Sequence, residues 1–240
     1  MIATYRVTLR SVSTFDNLRL IVLNYLILPL VSLLLFLLIA FSARQDYARA
    51  LIGTIVTTAI STEIGIITAS TVYDQNIGLF DDIISIRPKF QHYWLPKFVI
   101  AGATVIVESL VLGVLGLAAL GKLELFPKLI LALPLIILIG ALLGYLGAMW
   151  GIRHRNPYWL SNIMIGCLVI LAGLIIPVSE YPLWLKPFAD VFPISNILDW
   201  ILSSTLVNQT LAIIGLKLVV WYSICVISLK VIKEQLKNSI

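Results

Sequence analysis

Residues 129–152 read L-I-L-A-L-P-L-I-I-L-I-G-A-L-L-G-Y-L-G-A-M-W-G-I and contain no charged side chain. A run of about 20 apolar residues is what one α-helix needs to cross the hydrocarbon core of a bilayer. The same bias extends over the whole chain of 240 residues, of which 60% are hydrophobic and 12% are charged. A soluble domain holds about 45–50% apolar and about 25% charged residues. The composition therefore excludes a soluble globular protein and predicts an integral membrane protein.

Six such apolar runs occur along the chain. They lie at about 20–41, 50–72, 98–120, 129–152, 159–176 and 211–229. The alternation of a β-barrel is absent from the sequence, so the runs predict an all-α integral membrane fold, a six-transmembrane-helix bundle. Residues 20–240 then form a single six-span transmembrane domain, and residues 1–19 precede it.

Lys and Arg are unevenly distributed between the two sets of connecting segments. With the N-terminus inside, the cytoplasmic segments hold eleven of these residues and the opposite segments hold five. Cytoplasmic loops carry an excess of positive charge. We therefore expect a multi-pass protein of the plasma membrane with both termini in the cytoplasm. Because topology accounts for the net charge of +5, no nucleic-acid partner is expected.

The first nineteen residues have the pattern of a short amphipathic helix. Ile2, Tyr5, Leu9 and Val12 recur at helical spacing, and the arginines of this segment lie on other faces. Such a helix lies in the inner membrane interface before the chain turns into the bilayer. The alternative interpretation is a frayed terminus.

The cytoplasmic segment 73–97, between spans two and three, also has the pattern of a short amphipathic helix. Its apolar face comprises Leu79, Phe80, Ile83 and Ile84, and its polar face comprises Asp81, Asp82 and Ser85. Pro88 ends it. A helix tethered at both ends is suited to a groove in a soluble partner protein. The alternative is a helix resting on lipid, but such a helix usually carries Lys or Arg on its polar face rather than aspartates.

The segment 177–210, on the opposite side, combines prolines with aromatic residues. These are Pro177, Pro182, Pro187, Pro193, Tyr181, Trp184, Phe188, Phe192 and Trp200. Proline at this density prevents a continuous span, whereas aromatic side chains favour the headgroup layer. We therefore predict a broken, re-entrant segment of short helices that dips into the outer leaflet and caps the bundle.

These two segments resemble the permeases of ATP-binding-cassette exporters of the ABC-2 type. That family carries, after span two, an acidic residue, a Gly four positions later, a Leu-rich short helix, a Pro and a Lys. Those places are matched here by Asp74, Gly78, Ile83, Ile84, Pro88 and Lys97, with Gln75 and Asn76 in place of a charged pair and Pro88 one residue late. After span five the family has a Gly, three prolines, a Trp and an Asp, matched here by Gly173, Pro177, Pro182, Trp184, Pro193 and Asp199.

The resemblance implies a transport subunit that works with partners. It implies a dimer with a second permease copy, either identical or a paralogue, embedded in membrane lipid. It also implies a separate ABC ATPase subunit docked on residues 74–88 of each copy. The exported substrate would be amphipathic, such as a peptide, a drug or a lipid-linked molecule.

The sequence itself lacks the residues that ATP hydrolysis requires. Residues 116–122 read G-L-A-A-L-G-K and imitate a phosphate-binding loop, but Leu123 stands where Ser or Thr would bind Mg²⁺. We therefore expect no catalytic residue, no metal site and no cofactor in this chain, with ATP and Mg²⁺ held by the partner. His92 and His154 both lie in predicted cytoplasmic loops, which leaves no intramembrane Ser–His pair and no plausible metal ligand set.

Two carboxylates fall inside predicted spans, Glu63 in span two and Glu108 in span three. An ionised carboxylate at the bilayer centre costs roughly 2.5–3.5 kcal/mol on insertion scales, so each side chain should face the bundle interior or water. One hypothesis is that they line the translocation path. Another is that they only pack, protonated or hydrogen-bonded to neighbours. A third possibility is an ion-coupled secondary carrier that uses both as proton sites.

Overall fold

The computed structural model describes the backbone of residues 2–80, 90–152 and 154–237. Within these ranges it leaves out the side chains of residues 2–4, 6, 13, 16, 90–92 and 232–237. Every secondary-structure element in the described ranges is helical. The predicted all-α fold is therefore confirmed.

Nine α-helices follow one another in the described ranges. They are α1 (Ile2–Ser11), α2 (Leu18–Ala43), α3 (Tyr47–Asn76), α4 (Phe90–Ala119), α5 (Phe126–Gly151), α6 (Trp159–Leu171), α7 (Lys186–Asp190), α8 (Ile194–Leu202) and α9 (Gln209–Lys237). One turn inside α2, Leu23–Ile27, is π-helical. Short 3₁₀ turns lie at Ser13–Asp16, Leu123–Leu125 and Val178–Glu180.

Five of these helices are long and apolar enough to cross a bilayer. They are α2, α3, α4, α5 and α9, and they correspond to predicted spans one, two, three, four and six. Five such helices fit a multi-pass membrane protein. The fifth predicted span is shorter than expected, because α6 has 13 residues and a length of only about 20 Å. The number of six spans therefore stays a prediction.

Helix α3 lies at the centre of the bundle. It packs against α4 and α5 along much of its length and also contacts α2, α6 and α8. Most of its side chains are buried, including a continuous set of isoleucines such as Ile52, Ile55, Ile60, Ile64 and Ile67. By contrast, the outer faces of α2 and α9 expose many Leu and Val side chains. That exposure is expected of helices whose outer face contacts lipid.

The contacts of α3 define two ends of the bundle. At the first end, here called the Arg49 end, Gly53 packs against Leu174 just beyond α6. At the second end, here called the Lys97 end, Gln75 donates a hydrogen bond to the carbonyl oxygen of Ile152 at 2.6 Å. The start of α6 lies towards the Lys97 end, because the hydroxyls of Ser161 and Thr68 are 2.7 Å apart.

The two segments with unusual sequence patterns lie against this bundle. Helix α1 contacts α4 and α3, with Thr8, Ser11 and Val12 buried. Leu9, which the pattern assigns to the same face as Val12, is 43% exposed. Residues 177–208 break into one 3₁₀ turn and the short helices α7 and α8. Of these, α8 is the buried one and contacts α3, α5 and α9.

Candidate functional site

A buried lysine joins α3 to α4 at the Lys97 end. Lys97 is 1% exposed, and its Nζ donates to Asp74 Oδ2 at 2.7 Å, to the Tyr93 hydroxyl at 3.0 Å and to Thr71 Oγ1 at 3.2 Å. These three acceptors use all three donors of the ammonium group. The ammonium group is thus fully hydrogen-bonded, and such bonds help a buried ion pair to be tolerated.

Aromatic side chains extend this contact from the loop into the bundle. The Phe80 ring meets the Tyr93 ring edge-on with centroids 6.1 Å apart, and Lys97 Nζ lies 4.3 Å from the Tyr93 centroid. Trp94 packs against Tyr93 at 5.1 Å and against Tyr145 of α5 at 4.6 Å. Phe80 is therefore connected, through the rings of Tyr93 and Trp94, to α4 and α5.

The structure brings together only part of the predicted coupling set. Asp74 and Phe80 are buried, Leu79 is half-buried, and Gly78 is exposed in a turn with φ of +76°. Leu79 and Phe80 have helical backbone, as predicted for the start of the short helix. Asp81, Asp82, Ile83, Ile84 and Pro88 lie outside the described residues. The described part of the site is thus the place beside the loop where α3 and α4 meet, at Asp74 and Lys97.

At the Arg49 end, a buried arginine joins α3 to α8 and to the turn after α6. Arg49 Nη1 lies 2.8 Å from Asp199 Oδ1 on α8, and Arg49 Nε donates to the carbonyl oxygen of Gly173 at 2.9 Å. Gly173 adopts a φ of +62°, which an L side chain rarely tolerates. A Cβ there would also lie 2.8 Å from Val178 Cγ2. Gly173 and Asp199, which both belong to the resemblance, thus share Arg49 as a partner. In the sequence, Arg49 contributed only to the count of basic residues that indicates topology.

Two further lysines bond to the segment that follows. Lys217 of α9 donates to Asn196 Oδ1 at 2.6 Å, and Lys128 of α5 donates to the carbonyl oxygen of Ser203. The Tyr181 hydroxyl donates to the carbonyl oxygen of Ile170 at 2.6 Å. Partial burial raises the pKa of Tyr181, and the nearby charge of Arg49 lowers it by a smaller amount.

The other predicted cap residues differ in exposure. Pro193 is buried at the start of α8, Pro177 is half-buried, and Pro182 is exposed. Trp184 is 70% exposed. The buried cap residues lie in the part of the segment to which Arg49, Lys128 and Lys217 bond. Trp184 lies outside that part.

Comparison with known proteins adds no relative to this picture. No family model, curated protein or solved structure matches this chain. Any proposal about function must therefore come from the residue patterns and contacts given above. Among the described side chains, no three His, Cys, Asp or Glu lie close enough together to hold a metal ion.

The two intramembrane carboxylates are both buried. Glu63 is 0% exposed and Glu108 is 3% exposed, and the oxygens of Glu63 make no hydrogen bond within the described part of the chain. Glu63 faces α5, where a Cβ on Gly140 would lie 3.0 Å from Glu63 Cδ. Glu108 lies near Thr62 and Tyr25. Both residues therefore face protein rather than lipid, which suits either a path-lining role or packing.

Removing Arg49 tests its role at this end of the bundle. We expect Arg49→Met to lower the free energy of unfolding by about 1–2 kcal/mol, because the buried carbonyl of Gly173 loses its hydrogen bond. Unfolding of the purified protein in mixed micelles measures the change. Lys122→Met is the control, since Lys122 is exposed and its contact with Glu124 is 3.9 Å long. Equal stability of the two variants would contradict a structural role for Arg49.

Proposed function

We propose that the chain is the membrane-spanning permease subunit of an ABC-2 type ABC exporter. A separate ATPase subunit drives it, and it moves an amphipathic substrate outward. The observation that carries the proposal is the buried ion pair between Asp74 and Lys97. Because this pair joins α3 to α4 close to the loop that connects them, a force applied to the loop reaches both helices together.

Six membrane crossings are part of this proposal, with α6 as the fifth. The contacts of α3 support it. Ser161 at the start of α6 lies beside Thr68, and Gly173 just beyond its end bonds Arg49. Arg49 and Thr68 are 19 positions apart in α3, which corresponds to about 28 Å along a helix and is close to the hydrocarbon thickness of about 30 Å. The short helix and the turn after it would thus complete one crossing together.

The Lys97 end would face the cytoplasm, and both chain termini would lie on that side. This assignment is supported by the excess of Lys and Arg in the segments at that end. The segment 177–208 would then cap the outer side, held by Arg49, Lys128 and Lys217. A second permease copy would complete the path between the two subunits.

The mechanism follows from two stable arrangements of the same helices. ATP binding closes the ATPase dimer, and the loop helix moves with it. The Asp74–Lys97 pair and the Phe80–Tyr93 contact transmit that displacement to α3 and α4. A packed interface changes between discrete states rather than deforming continuously, so the cavity between the two copies opens outward as a unit.

The division of labour between two polypeptides can be tested with photoreactive azido-ATP. We expect the tagged protein, purified from its native membrane, to co-purify with a second polypeptide that hydrolyses ATP. Azido-ATP should label that polypeptide and leave this chain unlabelled. Labelling of this chain, or hydrolysis by the chain alone, would overturn the proposal.

Phe80 provides the test of coupling. We expect Phe80→Ala, or charge reversal at Asp81 and Asp82, to uncouple ATP hydrolysis from transport, because the loop loses its contact with the ATPase or with Tyr93. Transport of labelled substrate per ATP hydrolysed measures the coupling in vesicles. Phe126→Ala is the matched control, since Phe126 packs beside Gly113 at the opposite end. Unchanged coupling in the Phe80 and charge-reversal variants would contradict the docking site.

A secondary carrier is the alternative function, and the burial of Glu63 and Glu108 favours it. Carboxyls buried within membrane helices form the proton relays of many pumps and transporters. In that case transport would follow the proton gradient, need no ATPase, and fail in Glu63→Gln and Glu108→Gln. Normal transport in both variants would reduce the two carboxyls to packing groups.

A further inference from the structure

A groove of about 490 Å³ opens on the side of the bundle between α2, α3 and α6. Its walls come from the π-helical turn of α2, from residues 61–69 of α3 and from Ile165 of α6. Val12 and Thr14, just after α1, also line it. A volume of this size lies within the range of about 300–1,000 Å³ typical of small-molecule sites.

The lining combines uncharged polar groups with apolar ones. The polar groups are Thr14, Asn24, Tyr25, Ser61 and Thr62. The apolar groups include Leu28, Ile66 and Ile165, and none of the described side chains that line the groove is charged. Hydroxyl and amide groups both donate and accept hydrogen bonds, so they suit a ligand whose polar part does the same.

The backbone around Asn24 departs from a regular helix. Residues Leu23–Ile27 form a π-helical turn, a rare conformation that is frequent at functional sites. Asn24 Nδ2 donates to the carbonyl oxygen of Leu20 at 2.9 Å, which orients its side chain. An asparagine in a mostly apolar helix such as α2 is costly in a membrane unless it meets a polar partner.

We propose that this groove binds one uncharged, hydroxyl-bearing amphipathic molecule that enters from the membrane. Its polar part would contact Asn24, Ser61 and Thr62, and its hydrocarbon chain would lie against Leu28 and Ile165. An anionic headgroup is disfavoured because the described lining of the groove holds no basic side chain and Glu108 lies near Thr62. Resting on the proposed function, the inference makes the groove the site where the exported molecule is first bound.

The test uses dodecyl maltoside with a photoreactive diazirine in its alkyl chain, added to the protein in phosphatidylcholine nanodiscs. We expect saturable labelling next to Leu28 and Ile165, mapped by mass spectrometry. Asn24→Leu combined with Thr62→Leu should reduce it at least tenfold. Ser32→Leu is the control, because Ser32 also bonds a carbonyl one turn back on α2 but lies outside the groove.

Three outcomes would overturn the inference. One is unsaturable labelling spread over exposed residues such as Leu34 and Leu38. Another is stronger competition by dodecyl sulfate or dodecyltrimethylammonium than by unlabelled maltoside. The third is unchanged labelling in the double variant. None of these readouts requires ATP, so the two proposals can fail separately. If the groove binds the probe and azido-ATP labels this chain, the proposed function is wrong and the inference about the groove stands.

Discussion

Lys97→Met is expected to lower the free energy of unfolding by about 3–5 kcal/mol, the usual result of removing one partner of a buried ion pair. The loss arises because Asp74, which is 4% exposed, would be left without its partner. Tyr93 and Thr71 would lose the donor that they share. Unfolding by dodecyl sulfate in mixed micelles, followed by tryptophan fluorescence, measures the change.

The double variant Lys97→Met with Asp74→Leu separates the charge from the packing. Replacing both members of a buried pair by apolar groups is often neutral or stabilising. We therefore expect it to recover most of the stability that the single variant loses. Lys230→Met is the control for charge alone, because Lys230 is an exposed residue of α9. A single variant as stable as the original protein would contradict the energetic role assigned to Lys97.

The same double variant distinguishes stability from function. If the pair only holds α3 against α4, a stable double variant should also hydrolyse and transport normally. If the pair transmits force, the double variant should fold, bind the ATPase and hydrolyse ATP without transport. The ratio of substrate moved to ATP hydrolysed separates these results, because it does not depend on the amount of folded protein.

Sequence reasoning located the apolar helices well because hydropathy is a local property. α2, α3, α4, α5 and α9 coincide with predicted runs, with ends that differ by several residues. The short α6 is the exception. Its apolar run continues to residue 176, but the helix ends at Leu171 and Gly173 turns the chain with a positive φ. Gly173 and the following Pro177 were the features of the sequence that could have predicted this early end of the helix.

Pairings between distant residues could not be predicted in this way. The resemblance identified Asp74, Gly173 and Asp199, but Arg49 is separated from Asp199 by 150 positions. Such contacts depend on how helices pack, which periodicity does not determine. Opposite charges at matching depths in two predicted helices would have been the one usable signal. The groove was missed for a similar reason, because it lies between three helices and a π-helical turn that hydropathy does not report.

Gly140→Leu is expected to lower the free energy of unfolding by about 3 kcal/mol, at the upper end of the usual cost of overpacking. An added Cβ would lie 3.0 Å from Glu63 Cδ and 3.1 Å from Glu63 Cβ, and Glu63 has no exposed surface into which to move. Gly166→Leu is the matched control, since a Cβ on this helical glycine meets nothing within 4 Å. The control should be neutral or slightly stabilised, because leucine favours a helix more than glycine does.

Adding Glu63→Ala to Gly140→Leu determines what the carboxyl does. If Glu63 only fills space beside Gly140, the smaller side chain makes room for the leucine, and both stability and transport should recover. If the carboxyl takes part in transport, stability should recover while transport stays lost, as it should in Glu63→Gln alone. Unfolding and transport measured on the same preparations distinguish these results. Failure to recover stability would mean that the strain lies in the α3 backbone rather than in the Glu63 side chain.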